Sequence, residues 1–237
     1  MGINPNFKKK LQFRLEKEEM LDFKARVGFS CDTSGSMRPT YGNGLMNSLM
    51  EMLLVVGLKF DDNGEMEVSA FSNNNTVLPN MTEDNFKGYV DNNIIKNRNS
   101  NFWGGTYFAP SIEYFKNEWF PNNTKAPSNI GFFGKLFGKK EEPKLESKQE
   151  PAFLIVQTDG DLHDVSETLD LLDEIENLPM FVTFITTGCT RVSDDVLNFS
   201  RRYKNVQSIL FEDYGSINED KLYTDLISDK VRDFFKL

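Results

Sequence analysis

Short apolar runs alternate with longer segments of helical periodicity along most of this chain, and this alternation is the strongest constraint on its fold. The clearest run is Ala-Phe-Leu-Ile-Val-Gln-Thr at residues 152–158. Strands separated by helices of this length build α/β folds with right-handed crossovers. The sequence therefore predicts a doubly wound, mostly parallel central sheet flanked by helices. Strands are expected at residues 25–31, 65–71, 76–78, 152–158, 180–186 and 206–211, and helices at residues 45–60, 107–119, 165–177, 193–203 and 218–235. A further helix, capped by residues 82–84, is expected to run to about residue 92.

Two regions depart from this alternation. Residues 8–22 mix charges with Leu11, Leu15, Met20 and Leu21, which indicates a short amphipathic helix or a partly ordered arm within an N-terminal arm of residues 1–24. Proline, glycine and lysine are frequent at about residues 121–150, which predicts a surface insertion in a domain that covers residues 25–237. Within it, residues 132–140 combine three Phe and a Leu with three Lys, so a mobile loop, a partner-docking element and a membrane contact all remain open.

The composition narrows the class of protein. The formal charge is −9, and the basic residues are in excess in the first 26 residues and in the insertion, so the remaining body is more acidic still. This balance argues against a nucleic-acid binder that depends on phosphate contacts. Two cysteines, Cys31 and Cys189, are too few for a disulfide framework, and no apolar run approaches the ~20 residues that span a bilayer. No signal peptide is recognisable at the N-terminus, so we expect a cytoplasmic protein.

One turn offers an unusual set of oxygen ligands. Asp32, Ser34 and Ser36 occupy alternate positions directly after the predicted strand of residues 25–31. Carboxylate and hydroxyl oxygens suit a small divalent cation, although the same residues could cap a helix. Gly104-Gly105-Thr106 offers another hydroxyl, and Asp159 follows the strand of residues 152–158. Ligands of parallel sheets bind at the carboxyl ends of the strands, so we expect these loops to converge there.

These segments carry a family resemblance. Asp32-x-Ser34-x-Ser36, Thr106 and Asp159, in this order, resemble the von Willebrand factor type A (vWA) family over roughly residues 25–237. Gly104-Gly105-Thr106-Tyr107-Phe108-Ala109-Pro110 is similar to the bacterial tellurium-resistance-associated, TerF-like branch. The resemblance implies a Rossmann-like vWA fold with an intact metal-ion-dependent adhesion site. It also implies that Ser34, Ser36 and Thr106 bind Mg²⁺ (or Mn²⁺) directly, whereas Asp32 and Asp159 act mainly through bound waters.

The implied function is binding and not catalysis. Three neutral hydroxyls cancel little of a cation's charge, so the ion stays electrophilic toward a Glu or Asp of a partner protein. We therefore expect a non-enzymatic, metal-dependent protein-binding module. The resemblance places it in a bacterium or phage, in a tellurium- or stress-resistance-type assembly. The alternatives are a metal-dependent phosphatase or hydrolase that uses the same carboxylates, and a scaffold that binds through residues 132–140.

Other residues near these loops allow two interpretations each. His163 could be a base or a zinc ligand, but a single histidine without Cys or His neighbours favours an exposed loop residue. Asp161 and Asp164 could line the rim of the site, but capping of the helix that starts near Val165 is favoured. Phe102 and Trp103 could be exposed binding anchors or core residues. The methionines of the first long helix are expected to fill the core: Met46, Met50 and Met52.

Overall fold

The computed structural model describes residues 2–121, 149–160, 162–213, 215 and 217–235. Its helices are α1 Pro5–Lys17, α2 Arg38–Gly42, α3 Leu45–Phe60, α4 Ala109–Trp119, α5 Val165–Ile175, α6 Asp194–Arg202, α7 Glu219–Leu226 and α8 Asp229–Phe235. Its strands are β1 Arg26–Asp32, β2 Glu67–Phe71, β3 Asn75–Val77, β4 Ala152–Thr158, β5 Met180–Thr187 and β6 Val206–Phe211. A 3₁₀ turn at Gly35–Met37 and a π-helical turn at Asp91–Ile95 complete the regular structure.

The six strands form one sheet in the order β3-β2-β1-β4-β5-β6. All neighbours are parallel except β3, which pairs with β2 in antiparallel orientation. The order reverses between β1 and β4, because the chain builds outward from β1 on one side and from β4 on the other. Ligands of open α/β sheets bind at such a switch point, beyond the carboxyl ends of the strands. Asp32 and Asp159 lie at this point, at the ends of β1 and β4.

Alternate side chains of the central strands build two cores, one on each face of the sheet. In β4, Phe153 and Ile155 join the core beneath α1, α3, α7 and α8, whereas Leu154 and Val156 join the core beneath α4, α5 and α6. Each large apolar side chain that is buried in this way contributes about 1.5–3 kcal/mol. The predicted doubly wound, mostly parallel α/β fold is therefore confirmed.

The predicted helix that ends near residue 92 is wrong. Residues 83–85 and 87–88 form turns, and helical structure is confined to residues 89–95, which include the π-helical turn at Asp91–Ile95. Gly88 has a φ of +70°, a left-handed conformation that interrupts a right-handed helix. The Asn85 side chain also accepts a hydrogen bond from Thr82 N, so the residues expected to cap a helix close a turn instead.

Larger differences from the prediction concern the closing helix, the N-terminal helix and the segment after the Asp32 turn. The closing helix is two helices, because the chain bends at Ile227 and the Ser228 hydroxyl accepts a hydrogen bond from Val231 N at the start of α8. The N-terminal helix ends at Lys17 instead of residue 22, and Leu11 and Leu15 pack into the core. The 3₁₀ turn and α2, which follow the Asp32 turn, were not expected.

Two sequence-based expectations fall wholly or largely on undescribed residues. The segment of residues 132–140 lies outside the described residues, as does the insertion of about residues 121–150 except for residues 121, 149 and 150. In the part of the chain that the structure describes, no helix is both long enough and apolar enough to cross a membrane.

Candidate metal centre

Asp32 is held between two strands at the switch point. Its side chain is fully buried, and Oδ1 accepts a hydrogen bond of 2.7 Å from Ser34 N. Oδ2 accepts a second bond, also 2.7 Å long, from the hydroxyl of Thr158 at the end of β4. Both carboxylate oxygens are therefore fixed, one by the turn that follows β1 and the other by the end of β4. The role of Thr158 was not evident from the sequence, because its side-chain partner lies 126 residues away.

A chain of hydroxyls leads from this turn to the second carboxylate. Ser34 Oγ lies 3.1 Å from Ser36 Oγ, and Ser36 Oγ donates a hydrogen bond of 3.0 Å to Asp159 Oδ1. Ser34 makes no side-chain cap to the 3₁₀ turn that follows it, so the helix-cap interpretation has no support. The structure thus brings four of the five predicted site residues together. Ser36 is exposed and Asp159 is half-buried, so the group opens to solvent on this side.

Thr106 lies on a loop that adjoins this group. Gly35 N donates to Gly104 O at 3.0 Å, which ties the loop to the Ser34–Ser36 turn. Thr106 itself is buried. No hydrogen bond joins its hydroxyl to the side chains of Asp32, Ser34, Ser36 or Asp159, all of which the structure describes. The fifth residue is therefore near in the backbone but is not part of the hydrogen-bonded chain.

Ser72 and Asn73, which directly follow β2, hold the glycines of this loop. Ser72 Oγ accepts a hydrogen bond from Gly104 N at 2.7 Å and donates one to Gly105 O at 3.1 Å. Asn73 Oδ1 accepts from Gly105 N at 2.8 Å. Sequence reasoning missed both residues, because the bonds span about 32 positions and follow no local pattern. They fix the backbone that presents Thr106.

His163 also holds Thr106. Its Nδ1 accepts a hydrogen bond of 3.1 Å from Thr106 N, and its own backbone N–H donates to Thr106 O at 2.8 Å. The His163 side chain is exposed, as expected, but it also supports the Thr106 loop through this hydrogen bond. An accepting Nδ1 requires the neutral tautomer with its proton on Nε2.

Asp164 caps a different helix from the one expected. It precedes α5 but makes no side-chain cap to it. Its buried carboxylate instead accepts hydrogen bonds from Phe108 N at 3.0 Å and Ala109 N at 2.7 Å, at the start of α4. A carboxylate at a helix N-terminus satisfies free N–H groups and faces the positive end of the dipole. The other candidate for this role, Asp161, lies outside the described residues.

The aromatic residues and methionines that were singled out from the sequence are packed against other residues near the site. Phe102 is buried in the core. Trp103 is half-buried, and its ring contacts Tyr41 edge-on with centroids 5.6 Å apart, while the Arg38 guanidinium lies 5.2 Å above it. Neither residue is a free binding anchor. Three methionines of α3 fill the core, as expected: Met46, Met50 and Met52.

The electrostatics of the two carboxylates suit a cation. Burial raises the pKa of Asp32 to about 6, although hydrogen bonds from Ser34 and Thr158 oppose the rise. Burial also raises the pKa of Asp159, against the hydrogen bond from Ser36. Neither carboxylate takes part in an ion pair with another described residue. Two anionic groups without a positive partner at the end of a sheet fit a divalent cation.

The donor chemistry narrows the kind of cation. No three His, Cys, Asp or Glu side chains among the described residues lie together as a metal-binding group. A metal at this point would therefore depend on the hydroxyls as well as the two carboxylates. Carboxylate and hydroxyl oxygens form a hard donor set, which suits a divalent cation.

A methyl group at Gly105 is expected to weaken metal binding about tenfold, because it disturbs the support of Thr106. A Cβ there would lie 2.9 Å from both His163 Nδ1 and Tyr107 Cε2, which is closer than carbon contacts allow. Changes to the residues that orient metal ligands typically cost 10–100-fold in affinity. Titration calorimetry with Mn²⁺ on Gly105→Ala measures the effect. Gly42→Ala, at an exposed position of α2, is the control, since its Cβ meets no atom within 4 Å, and equal losses in both variants would contradict the prediction.

Comparison with known proteins gives one family match and several structural neighbours. The family model described as vWA-TerF-like, "vWA found in TerF C terminus", matches residues 24–232. The uncharacterized protein YcbR of Bacillus subtilis (strain 168) is 27% identical over 227 residues, which cover 94% of this chain and 82% of that protein.

The solved structures agree on the fold. The SpRpn10 VWA domain superposes with a TM-score of 0.55 at 10% identity, covering 88% of this chain and 97% of that one. Proximal thread matrix protein 1 of the mussel byssus, in a structure described as having a zinc-occupied MIDAS motif, gives a TM-score of 0.56 at 15% identity. That match covers 89% of this chain but only 45% of the mussel protein. At these identities the likeness concerns the fold alone.

Proposed function

The chain belongs to the vWA-TerF-like family, and on that premise we propose that it is a divalent-metal-dependent protein-binding module. The vWA family supports metal-dependent adhesion or protein interaction as the general role. The observation that carries the proposal is the chain of hydroxyls between two buried or half-buried carboxylates at the switch point of the sheet. These groups lack a positive partner within the described residues and open to solvent through Ser36.

The proposed ligands follow from this arrangement. Ser34, Ser36 and Thr106 would bind Mg²⁺ or Mn²⁺ directly, and Asp32 and Asp159 would act through bound waters. When bound, the cation supplies an electrophilic coordination position that a carboxylate of a partner can occupy. The protein's own part is to hold the two hydroxyls of the Asp32 turn in place. Asp32 does this through Ser34 N, and Asp159 does it by accepting from Ser36.

We propose an acidic side chain, Glu or Asp, as the partner's contribution. The exposed edge at Ser36 gives such a side chain access to the site. The acidic body disfavours nucleic acid and also repels acidic partners at long range, so recognition would depend on the local field at the site. Membrane contact is not part of the proposed function.

The proposed module is not an enzyme. The chain has one histidine, and its Nδ1 is occupied by the Thr106 amide, where it supports a loop. No observation favours the phosphatase or hydrolase alternative, which would need a nucleophile paired with a base or a two-metal cluster. We propose that the module works in the cytoplasm, in a bacterium or a phage that infects one, as part of an assembly of the tellurium- or stress-resistance type. The TerF-like family membership supports this proposal.

Capture of partner proteins is expected to depend on the metal. The immobilised protein should retain a set of proteins from a bacterial lysate in excess Mg²⁺ or Mn²⁺ and release it on addition of EDTA. A double variant, Ser34→Ala with Ser36→Ala, should retain none of that set even with metal, because two proposed ligands are absent. Quantitative mass spectrometry of the eluates measures the difference.

Ser48→Ala is the matched control, because Ser48 is an exposed serine of α3 away from the site. Free acetate at high concentration should also displace the partners, since it offers the same carboxylate. Identical partner sets with metal, with EDTA and in the double variant would refute metal-bridged recognition.

A further inference from the structure

A cavity lies directly beside the candidate metal centre. It has a volume of about 350 Å³ and is formed between the loops that follow β4 and β5. Asp159 belongs to both places, because its side chain accepts from Ser36 while the residue also lines the cavity. The cavity is therefore within reach of a ligand that binds at the metal centre. The described lining residues are Asp159, Gly160, Thr186, Cys189, Thr190, Arg191 and Ser193.

Arg191 is the only cationic residue in that lining. Its side chain is 69% exposed and has one ion pair, in which Nη1 lies 3.3 Å from Asp194 Oδ1. Asp194 is itself 82% exposed, and ion pairs of this kind contribute little to stability. A guanidinium has five N–H donors in a fork that matches a carboxylate, so most of its donors face no described partner. Arg191 can therefore exchange Asp194 for a carboxylate of a ligand at low cost.

The wall of the cavity contains a hydroxyl that the fold does not use. Thr186, on β5 beside Thr158, is 2% exposed, and its Oγ1 has no hydrogen-bond partner among the described residues. Buried hydroxyls are normally hydrogen-bonded, and each exception requires an explanation. The loops around it are fastened together, because the Cys189 thiol donates to Asp159 O. A hydroxyl without a described partner, in a cavity that also contains a guanidinium, favours an acceptor-rich group there.

Acidic residues set a limit on that group. Asp159 lines the cavity, and Asp194 and Asp195 lie in the first turn of α6. These negative charges repel a multiply charged anion. The single guanidinium of Arg191 can pair with one carboxylate. A cation bound at Asp32 and Asp159 would offset part of the same field.

We propose that the cavity holds a second carboxylate of the same partner segment, so that the protein recognises a pair of acidic residues. The first would lie at the metal centre, and the second would pair with Arg191 and accept from the Thr186 hydroxyl. The inference rests on the proposed metal-dependent binding and adds the partner's chemistry, namely two acidic side chains close in sequence. Arg191 is thereby a specificity-determining residue.

Synthetic peptides test this directly. The probes are acetylated, amidated glycine peptides with one Asp, and the same peptides with two Asp separated by zero to three Gly. Titration calorimetry in Mn²⁺ should find at least one spacing that binds about tenfold tighter than the single-Asp peptide, as expected for an added charge-assisted hydrogen bond. Arg191→Gln should abolish that gain and leave the single-Asp affinity unchanged.

Two further variants separate recognition from folding. Arg201→Gln removes the same charge from an exposed arginine in the last turn of α6 and should keep the full gain. Thr186→Val should reduce the gain without lowering the melting temperature, because no described residue depends on its hydroxyl.

The outcomes distinguish the two proposals. Single-Asp binding that needs Mn²⁺, with no tighter two-Asp peptide or with a gain that persists in Arg191→Gln, would overturn the acidic pair and leave the metal module intact. No Mn²⁺-dependent binding of any peptide would overturn both.

Discussion

An Asp32→Asn variant is expected to lose about 100-fold in affinity for Mg²⁺ and Mn²⁺ while it folds normally. Asparagine keeps the size of the side chain, and its oxygen can still accept from Ser34 N. Its amide can donate to the Thr158 hydroxyl, which can rotate to accept. What disappears is the negative charge at the end of β1. Loss of a residue that orients metal ligands typically costs 10–100-fold, and loss of the charge places this variant at the upper end.

The metal-free variant is expected to be at least as stable as the wild type. Burial raises the pKa of Asp32, which means that the fold disfavours its ionised form when no cation is present. A neutral amide avoids that cost. Thermal melts in EDTA should therefore show an equal or higher melting temperature, while melts in Mn²⁺ should show stabilisation of the wild type alone.

Calorimetry and melting together make this a sharp test. Asp84→Asn is the control, because it removes the same charge from an exposed turn. Equal heats of Mn²⁺ binding in wild type and Asp32→Asn would eliminate the metal centre at this position. A variant that is unfolded in EDTA would instead show that Asp32 serves the fold.

The elements that could be predicted from sequence are those whose cause is local. The core strands are short, mostly apolar runs, as in residues 152–158, and a parallel sheet that is covered on both faces buries such runs. Asp32, Ser34 and Ser36 were identifiable because their spacing fits one turn at a strand end. Their convergence with Asp159 followed from the topology of a parallel sheet.

The contacts that hold the Thr106 loop could not be predicted in this way. Ser72, Asn73, His163 and Asp164 reach this loop and the start of α4 from 32 to 57 positions away, and their partners are backbone groups that carry no sequence signal. The same reason explains the wrong helix before residue 92. Thr82 and Asp84 resemble a cap, but a glycine can adopt either a right- or a left-handed conformation, and the sequence does not decide which one Gly88 takes.

Asp164 stabilises the start of α4, next to the Thr106 loop of the candidate site. Its removal is expected to destabilise the protein by about 2–3 kcal/mol. Asp164→Ala leaves the N–H groups of Phe108 and Ala109 without acceptors at the buried start of α4. An unpaired buried donor costs about 1–3 kcal/mol, and the favourable interaction with the helix dipole is lost as well. Asp164→Asn should lose about half as much, because its single oxygen can still accept from one of the two amides. The shift of the urea midpoint at constant slope measures these differences.

The effect of Asp164 on the metal site should follow its effect on α4. Thr106 lies two residues before Phe108, so a frayed first turn of α4 loosens the Thr106 loop where it enters the helix, while His163 continues to hold Thr106 itself. Manganese affinity should therefore fall in the order wild type, Asp164→Asn, Asp164→Ala, in parallel with stability. Asp170→Ala, in the exposed face of α5, should change neither quantity by more than about 0.5 kcal/mol. If Asp164→Ala lost stability but kept the wild-type affinity for Mn²⁺, the position of Thr106 would not depend on the start of α4. The hydroxyl chain from Ser34 to Asp159 would then have to hold the metal without it.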